Sequence, residues 1–299
     1  MSALARAGRL ALVFAAGVPM FGVLLLGAQG IGLSAQLRPQ PAEALIALIN
    51  AYRDSSRFCQ GKTMLAVGPL APDAALANIP LAHGTDLNAA LKQSGYRAAR
   101  AQAIVLSGPR NAAAAMSFLR TKYCETVMSA QFSQIGVSRD GSSWRLVLAQ
   151  PLLSADLGDW RTSGREILQL ANAARAVPRA CGERNFPAAP PLSWDARLAA
   201  AALAHSQEMA RRNYFSHTGK DGARVGERAS RAGYDWQGIG ENIATGQASP
   251  ARAVAGWLAS PSHCTNLMSS AFTQMGAAYA VNLESDTGIY WAQVLAAPR

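Results

Sequence analysis

The chain is short of charge. Only 15% of its 299 residues are Asp, Glu, Lys or Arg, against about 25% in an ordinary soluble domain. Acidic residues are the scarcer sign, 18 against 28 basic, which leaves a net charge of +10. That excess is spread thinly: no run of Lys or Arg longer than a pair occurs, and no aromatic residues alternate with a basic stripe. The patch needed to neutralise a nucleic-acid backbone is therefore missing, and no nucleic-acid partner is expected. Cysteine is scarce too. Cys59, Cys124, Cys181 and Cys264 are the four, and none stands in a CxxC or similar short spacing, which argues against a zinc–thiolate site and for structural disulfides in an oxidising compartment. Four cysteines allow three pairings.

The first 36 residues set the compartment. Arg6 and Arg9 precede an uncharged stretch, Leu10 to Gln36, rich in Leu, Val, Ala and Gly. Two readings fit it: a signal peptide cleaved after the small residues of Leu33-Ser34-Ala35, or an anchor long enough to span a bilayer. Either way the remainder is expected outside the cytoplasm, periplasmic or extracellular, because the positive end stays inside.

The length suits two ordinary domains, and the chain repeats itself. Leu70, Asp73 and Leu76 follow Cys59 at the distances at which Leu192, Asp195 and Leu198 follow Cys181. Gly95-Tyr96 and Gly108 match Gly233-Tyr234 and Gly246. Cys124, Met128, Ser129, Phe132, Gln134 and Gly136 fall without a gap on Cys264, Met268, Ser269, Phe272, Gln274 and Gly276. Three matches in one order imply a duplicated domain. If each copy folds alone, the bridges are Cys59–Cys124 and Cys181–Cys264, each contributing about 2–4 kcal/mol; cross-domain pairing is the alternative. The expected division is 1–36 leader or anchor, 39–155 first copy and 161–299 second copy.

The copies differ at polar positions. Leu76 to Gly95 is 19 steps and Leu198 to Gly233 is 35, so 16 residues are absent from the first copy, including any counterpart of His217. Glu241 falls opposite Ala103, and His263 opposite Tyr123. In the second copy, apolar spacing predicts helices over Ile167–Arg175 and Ala196–Arg212, with Ser193 and Asp195 as caps and Asn213 as the stop. A short helix is expected before Gly233, and a third long one over Ser249–Leu258 with Pro250 in its first turn. Strands are expected over Gly276–Leu283 and Gly288–Leu295. Helices first and antiparallel strands later indicate an α+β architecture.

Four histidines are present: His83, His205, His217 and His263. His217 and His263 are read in loops, Tyr214-Phe215-Ser216-His217 and Ser260-Pro261-Ser262-His263-Cys264, and Glu241 in an apolar strand-like run. Two imidazoles and a carboxylate suit a divalent metal, or equally a self-satisfied polar cluster. His205 reads as a packed helix residue, and His83 carries no assignment. Ser216 and Ser262 lack the glycine-framed turn of a serine nucleophile.

Around His205 to His217, Gly240-Glu241-Asn242-Ile243-Ala244, Trp257 to Cys264, Phe272 to Gly276 and Tyr290-Trp291-Ala292-Gln293, the second copy resembles the CAP superfamily (cysteine-rich secretory protein, antigen 5, pathogenesis-related 1) in its bacterial SCP-like form. The resemblance implies an α-β-α sandwich with a surface cleft holding two histidines and two glutamates. His217, His263 and Glu241 match three of these; Ser260 stands where the second glutamate is expected. It also implies that zinc or another divalent cation can sit on His217 and His263, and that the first copy is a degenerate CAP domain. No activity follows from a fold alone. The leading expectation is a binding or interaction module for a protein, cell-envelope or lipid ligand, weighted away from catalysis. The alternatives are a metal-dependent hydrolase or peptidase with Glu241 as base, and a sterol or lipid carrier.

Overall fold

The computed structural model describes residues 40–82, 84–153 and 158–299; the expected leader and His83 lie outside them. The described residues form one compact unit. Its N-terminal half runs α1 (Pro41–Arg53), a hairpin of β1 (Arg57–Cys59) and β2 (Lys62–Met64), β3 (Ala71–Pro72), α2 (Ala74–Ala77), α3 (Leu87–Gln93), β4 (Ala98–Ser107), α4 (Ala112–Lys122), α5 (Cys124–Val127), β5 (Gln134–Asp140) and β6 (Ser143–Pro151). The C-terminal half follows with α6 (Trp160–Arg175), a hairpin of β7 (Arg179–Cys181) and β8 (Arg184–Phe186), β9 (Ser193–Trp194), α7 (Ala196–Arg212), α8 (Val225–Arg231), β10 (Trp236–Thr245), α9 (Pro250–Leu258), α10 (Pro261–Met268), β11 (Gln274–Asn282) and β12 (Gly288–Pro298).

In the C-terminal half the sheet order is β10-β12-β11-β9, antiparallel except for the parallel pair β11 and β9. Strand β12 is buried on both faces, because successive side chains serve two helical layers. Ile289, Trp291 and Leu295 join the core with α6 and α9, whereas Tyr290, Ala292, Val294 and Ala296 join the core with α7. The result is an α-β-α arrangement. Helix α7 occupies the expected span: Asp195 accepts from the amides of Arg197 and Leu198, and Asn213 ends it in the left-handed conformation. Ser249 caps α9 as expected.

Three expectations need correction. Helix α6 begins at Trp160, capped by Asp159, two turns before Ile167, because its first turns are polar and carry no apolar period. His263 lies in a helix rather than a loop, since Pro261 opens α10. Ser193 caps nothing; it begins β9.

The N-terminal sheet has the matching order, β3-β5-β6-β4, with a parallel β3–β5 pair. Equivalent side chains make equivalent bonds. Asn50 exchanges two hydrogen bonds with the backbone of Leu70, as Asn172 does with Leu192. Buried Arg53 donates to the carbonyls of Gly68, Val127, Ser129 and Phe132; buried Arg175 donates to those of Pro190, Leu267, Ser269 and Phe272. Tyr96 donates to Gln134 and Tyr234 to Gln274. The bridges are Cys59–Cys124 and Cys181–Cys264, one in each half.

The halves part where the first chain is shorter. Helix α2 has 4 residues against 17 in α7, so part of one sheet face loses its helix. Beneath α7 that face carries buried Ile243, Ala278 and Ala292; at the same register the N-terminal sheet has Val105, Ser138 and Arg145. Arg145 pairs with Asp140 at 3.7 Å. The composition of the uncovered face has thus become compatible with water.

The halves meet along β3 and α9. Arg252 of α9 donates to the carbonyl of Pro72 and pairs with Asp73 at 2.5 Å. Gln247 donates to the Pro69 carbonyl, Ser133 to that of Gly246, and Asn50 to that of Ala259.

Candidate functional site

The site is assembled around Glu241 on β10, which is buried. An ionised carboxylate there needs partners for both oxygens. Oε1 accepts from Nδ1 of His217 at 2.8 Å, and Oε2 accepts from Nη2 of Arg228 on α8 at 2.5 Å. A carboxylate cannot donate, so His217 carries its proton on Nδ1. Arg228 is itself buried and its Nη1 donates to the carbonyls of Ala223 and His217, at 2.7 and 3.1 Å. It therefore fixes both the carboxylate and the loop that delivers the imidazole. Burial acts to raise the Glu241 carboxyl, but the hydrogen bond from His217 and the charges of Arg228, His205 and His217 outweigh it, and its pKa lies below the usual value.

That loop, residues 213–224, is tied down by α7. His205 is buried, and its Nε2 donates to the Ser216 carbonyl at 2.9 Å. Burial lowers its pKa, against the opposing pull of Glu241. His205 is thus a strut under the loop, as its helical position suggested. Glu208, one turn on, accepts from the Tyr214 hydroxyl and the Lys220 amide.

His263 enters from α10. Its Nδ1 lies 2.8 Å from the Ser260 hydroxyl, and the side chain is buried. Burial pushes its pKa down to about 4, with Asp54 of the N-terminal half pulling upward and His217 downward. Cys264, the next residue, is bonded to Cys181. A chain of amides locks α10 to β10: Asn266 donates to the Glu241 carbonyl and to Oδ1 of Asn242, and Asn242 donates to the His263 carbonyl and to Gln293.

His217, Glu241 and His263 are therefore on neighbouring elements, with His217 the open member, 54% exposed. In His217 and His263 the Nδ1 has a partner and the Nε2 has none among the described residues. Of the two serines beside histidines, Ser216 accepts from the Thr218 amide, and the exposed Ser262 hydroxyl lies 3.4 Å from His263 Nδ1, whose nearer partner is the buried Ser260 hydroxyl at 2.8 Å. Among the described residues no group of three or more His, Cys, Asp or Glu side chains is arranged to hold a metal ion. Arg228 escaped the sequence reading; the signal for it was a carboxylate in an apolar strand, which requires a nearby cation. The N-terminal half also reaches this region. A Cβ on Gly68 would lie 3.2 Å from the Thr245 amide nitrogen and 3.6 Å from the ring of Phe215, two residues before His217.

Residues 169–295 match the family model described as CAP, the cysteine-rich secretory protein family, so the C-terminal part of the chain carries a CAP domain. Two curated relatives come from Bacillus subtilis (strain 168). The chain is 36% identical to the uncharacterized membrane protein YlbC over 115 residues, 38% of this chain and 31% of that protein. It is 30% identical to the uncharacterized protein YkwD over 129 residues, 43% of this chain and 45% of that one. The chain thus spans less than half the length of either relative. Among solved structures it is similar to an extracellular protein containing an SCP domain from Bacillus anthracis str. Ames, with a TM-score of 0.39 and 20% identity over 71% of each chain. It is also similar to a cysteine-rich secretory protein from Staphylococcus aureus, with a TM-score of 0.35 and 12% identity over 54% of this chain and 55% of that one.

Proposed function

We propose that this is an exported CAP-domain protein whose C-terminal half is a binding module, with His217 and His263 presenting Nε2 atoms to a ligand, and whose N-terminal half is a degenerate copy of the same domain. The observation that carries the reading is the division of labour at Glu241. Both its oxygens are occupied, by His217 and Arg228, and its lowered pKa makes it a poor proton acceptor near neutrality. The carboxylate serves to hold His217 rather than to activate water, which favours recognition over hydrolysis.

A divalent cation such as zinc suits this donor set. An imidazole that binds metal through one nitrogen is ordinarily held by a carboxylate or other polar group at the other, the arrangement His217 has with Glu241 and His263 has with Ser260. Bound there, a cation would add positive charge for an anionic or carbonyl-bearing ligand group, and water would complete its shell. The missing histidine and carboxylate at Ala103 and Tyr123 confine this chemistry to the C-terminal half. Disulfides in both halves support a location outside the cytoplasm, and the name of the YlbC relative, a membrane protein, supports attachment or export through the N-terminal segment.

Calorimetric titration of the chelator-stripped protein with zinc tests the reading. Saturable binding of one ion, abolished in His263→Ala, is expected. No binding, or equal binding by both, would remove the metal and leave the histidines as a polar lining. Turnover of a peptide library that disappears in Glu241→Ala would establish the hydrolase instead.

A further inference from the structure

Phe58 and Leu65 are the most exposed large apolar side chains among the described residues, at 74% and 72%. They belong to one surface. In the hairpin Phe58 stands opposite Thr63, Arg57 opposite Met64 and Cys59 opposite Lys62, so period-2 alternation puts Phe58, Thr63 and the following Leu65 on one face and Arg57, Cys59, Lys62 and Met64 on the other. The second face is the structural one, packing around the disulfide with Tyr52, Met128 and Val67. The first face has no partner among the described residues.

Cations flank the hairpin at its turn and its side. Lys62 is exposed at the hairpin turn. Arg57 of the hairpin and Arg120 of α4 converge on the Tyr52 ring, at 4.6 and 5.2 Å, which places the end of α4, with exposed Lys122 and 44%-exposed Phe118, beside the hairpin. Four cations here face two acids, Asp54 and Glu125, in a chain whose net charge is +10. The corresponding hairpin of the C-terminal half lacks the feature: Ala180 and Pro187 occupy the positions of Phe58 and Leu65, and Phe186 is half-buried. The shared fold does not require these apolar residues, since its second example does without them.

Exposed aromatic and aliphatic side chains rimmed by Lys and Arg match the chemistry of an anionic bilayer surface, where rings enter the interface and cations meet phosphates. Chain order agrees. The uncharged stretch Leu10–Gln36 ends just before α1, and α1, about 20 Å long at 13 residues, leads directly into the hairpin. We propose that the β1–β2 hairpin docks the protein on an anionic lipid surface, with Phe58 and Leu65 entering the interface and the exposed Lys62, Arg120 and Lys122 reaching headgroup phosphates from its edges. Because the chain continues from Leu65 to Gly68, against Phe215, docking brings the His217 region close to the membrane. The inference does not rest on the metal or binding role of that region.

Hydrogen exchange of the full chain, read by mass spectrometry with vesicles of phosphatidylcholine alone or with added phosphatidylglycerol, tests it without interference from the N-terminal segment. The expected result is slowed exchange over residues 57–65 with the anionic vesicles only, weakened by salt, and no equivalent change over 179–187. Phe58→Ala with Leu65→Ala, both surface changes, should reduce the protection on the order of tenfold. Unchanged exchange at 57–65, or protection that survives the double variant, would overturn the proposal. So would protection that grows with protein concentration in the absence of lipid, which would assign the face to a second copy.

Discussion

Glu241 and Arg228 form a buried pair whose net stability is small but whose halves depend on each other. Removing one partner of such a pair costs about 3–5 kcal/mol, so Arg228→Met should lower the urea midpoint strongly. Glu241→Gln in the same chain should restore part of the loss, and a double-mutant cycle would give the coupling. His263 gives a pH signature. The unfolded imidazole takes a proton near its ordinary 6.5, whereas the folded one resists until about 4. The unfolded chain therefore binds more protons between these values, and stability falls as pH drops through that window by something on the order of 3 kcal/mol. Denaturation curves in chelator at stepped pH should show this slope, and His263→Gln should flatten it.

The elements show which parts of the fold could be read in advance. Helices α7 and α9 were legible because each carries both an apolar period and an explicit boundary: Asp195 and Asn213 for one, Ser249 and Pro250 for the other. Pro261 was ambiguous, since proline both ends one helix and opens the next, and α10 was missed for that reason. His217, Glu241 and His263 stood out as polar groups absent from the matching positions of the N-terminal half. Arg228 did not, because its role depends on where the 213–224 loop returns. Gly276 marks another feature hidden from pattern reading. A Cβ there would lie 2.0 Å from the Ala199 nitrogen, and one on Gly136 would lie 2.1 Å from that of Ala77, so in both halves a helix N-terminus rests directly on a strand. Gly276→Ala forces backbone apart and should cost several times the roughly 1 kcal/mol expected of removing a cap by Asp195→Ala. Thermal unfolding of the two variants checks the ranking.

At the scale of the whole molecule, the two sheets are joined by hydrogen bonds from buried side chains to backbone, together with the Arg252–Asp73 pair. A junction of this kind should couple the halves, so calorimetry of the native protein is expected to show one transition. Arg252→Ala, which leaves the nearly buried Asp73 without its cation, should lower it or split it in two. Two resolved transitions in the parent would mean that the halves melt independently.

The Cys181–Cys264 bridge also reaches the site. It fastens the residue beside His263 to the β7–β8 hairpin, so the setting of that histidine is tied to the state of the two sulfurs. Adding a reductant to the folded protein should therefore loosen α10 about His263, and hydrogen exchange over residues 261–268 with and without it checks this.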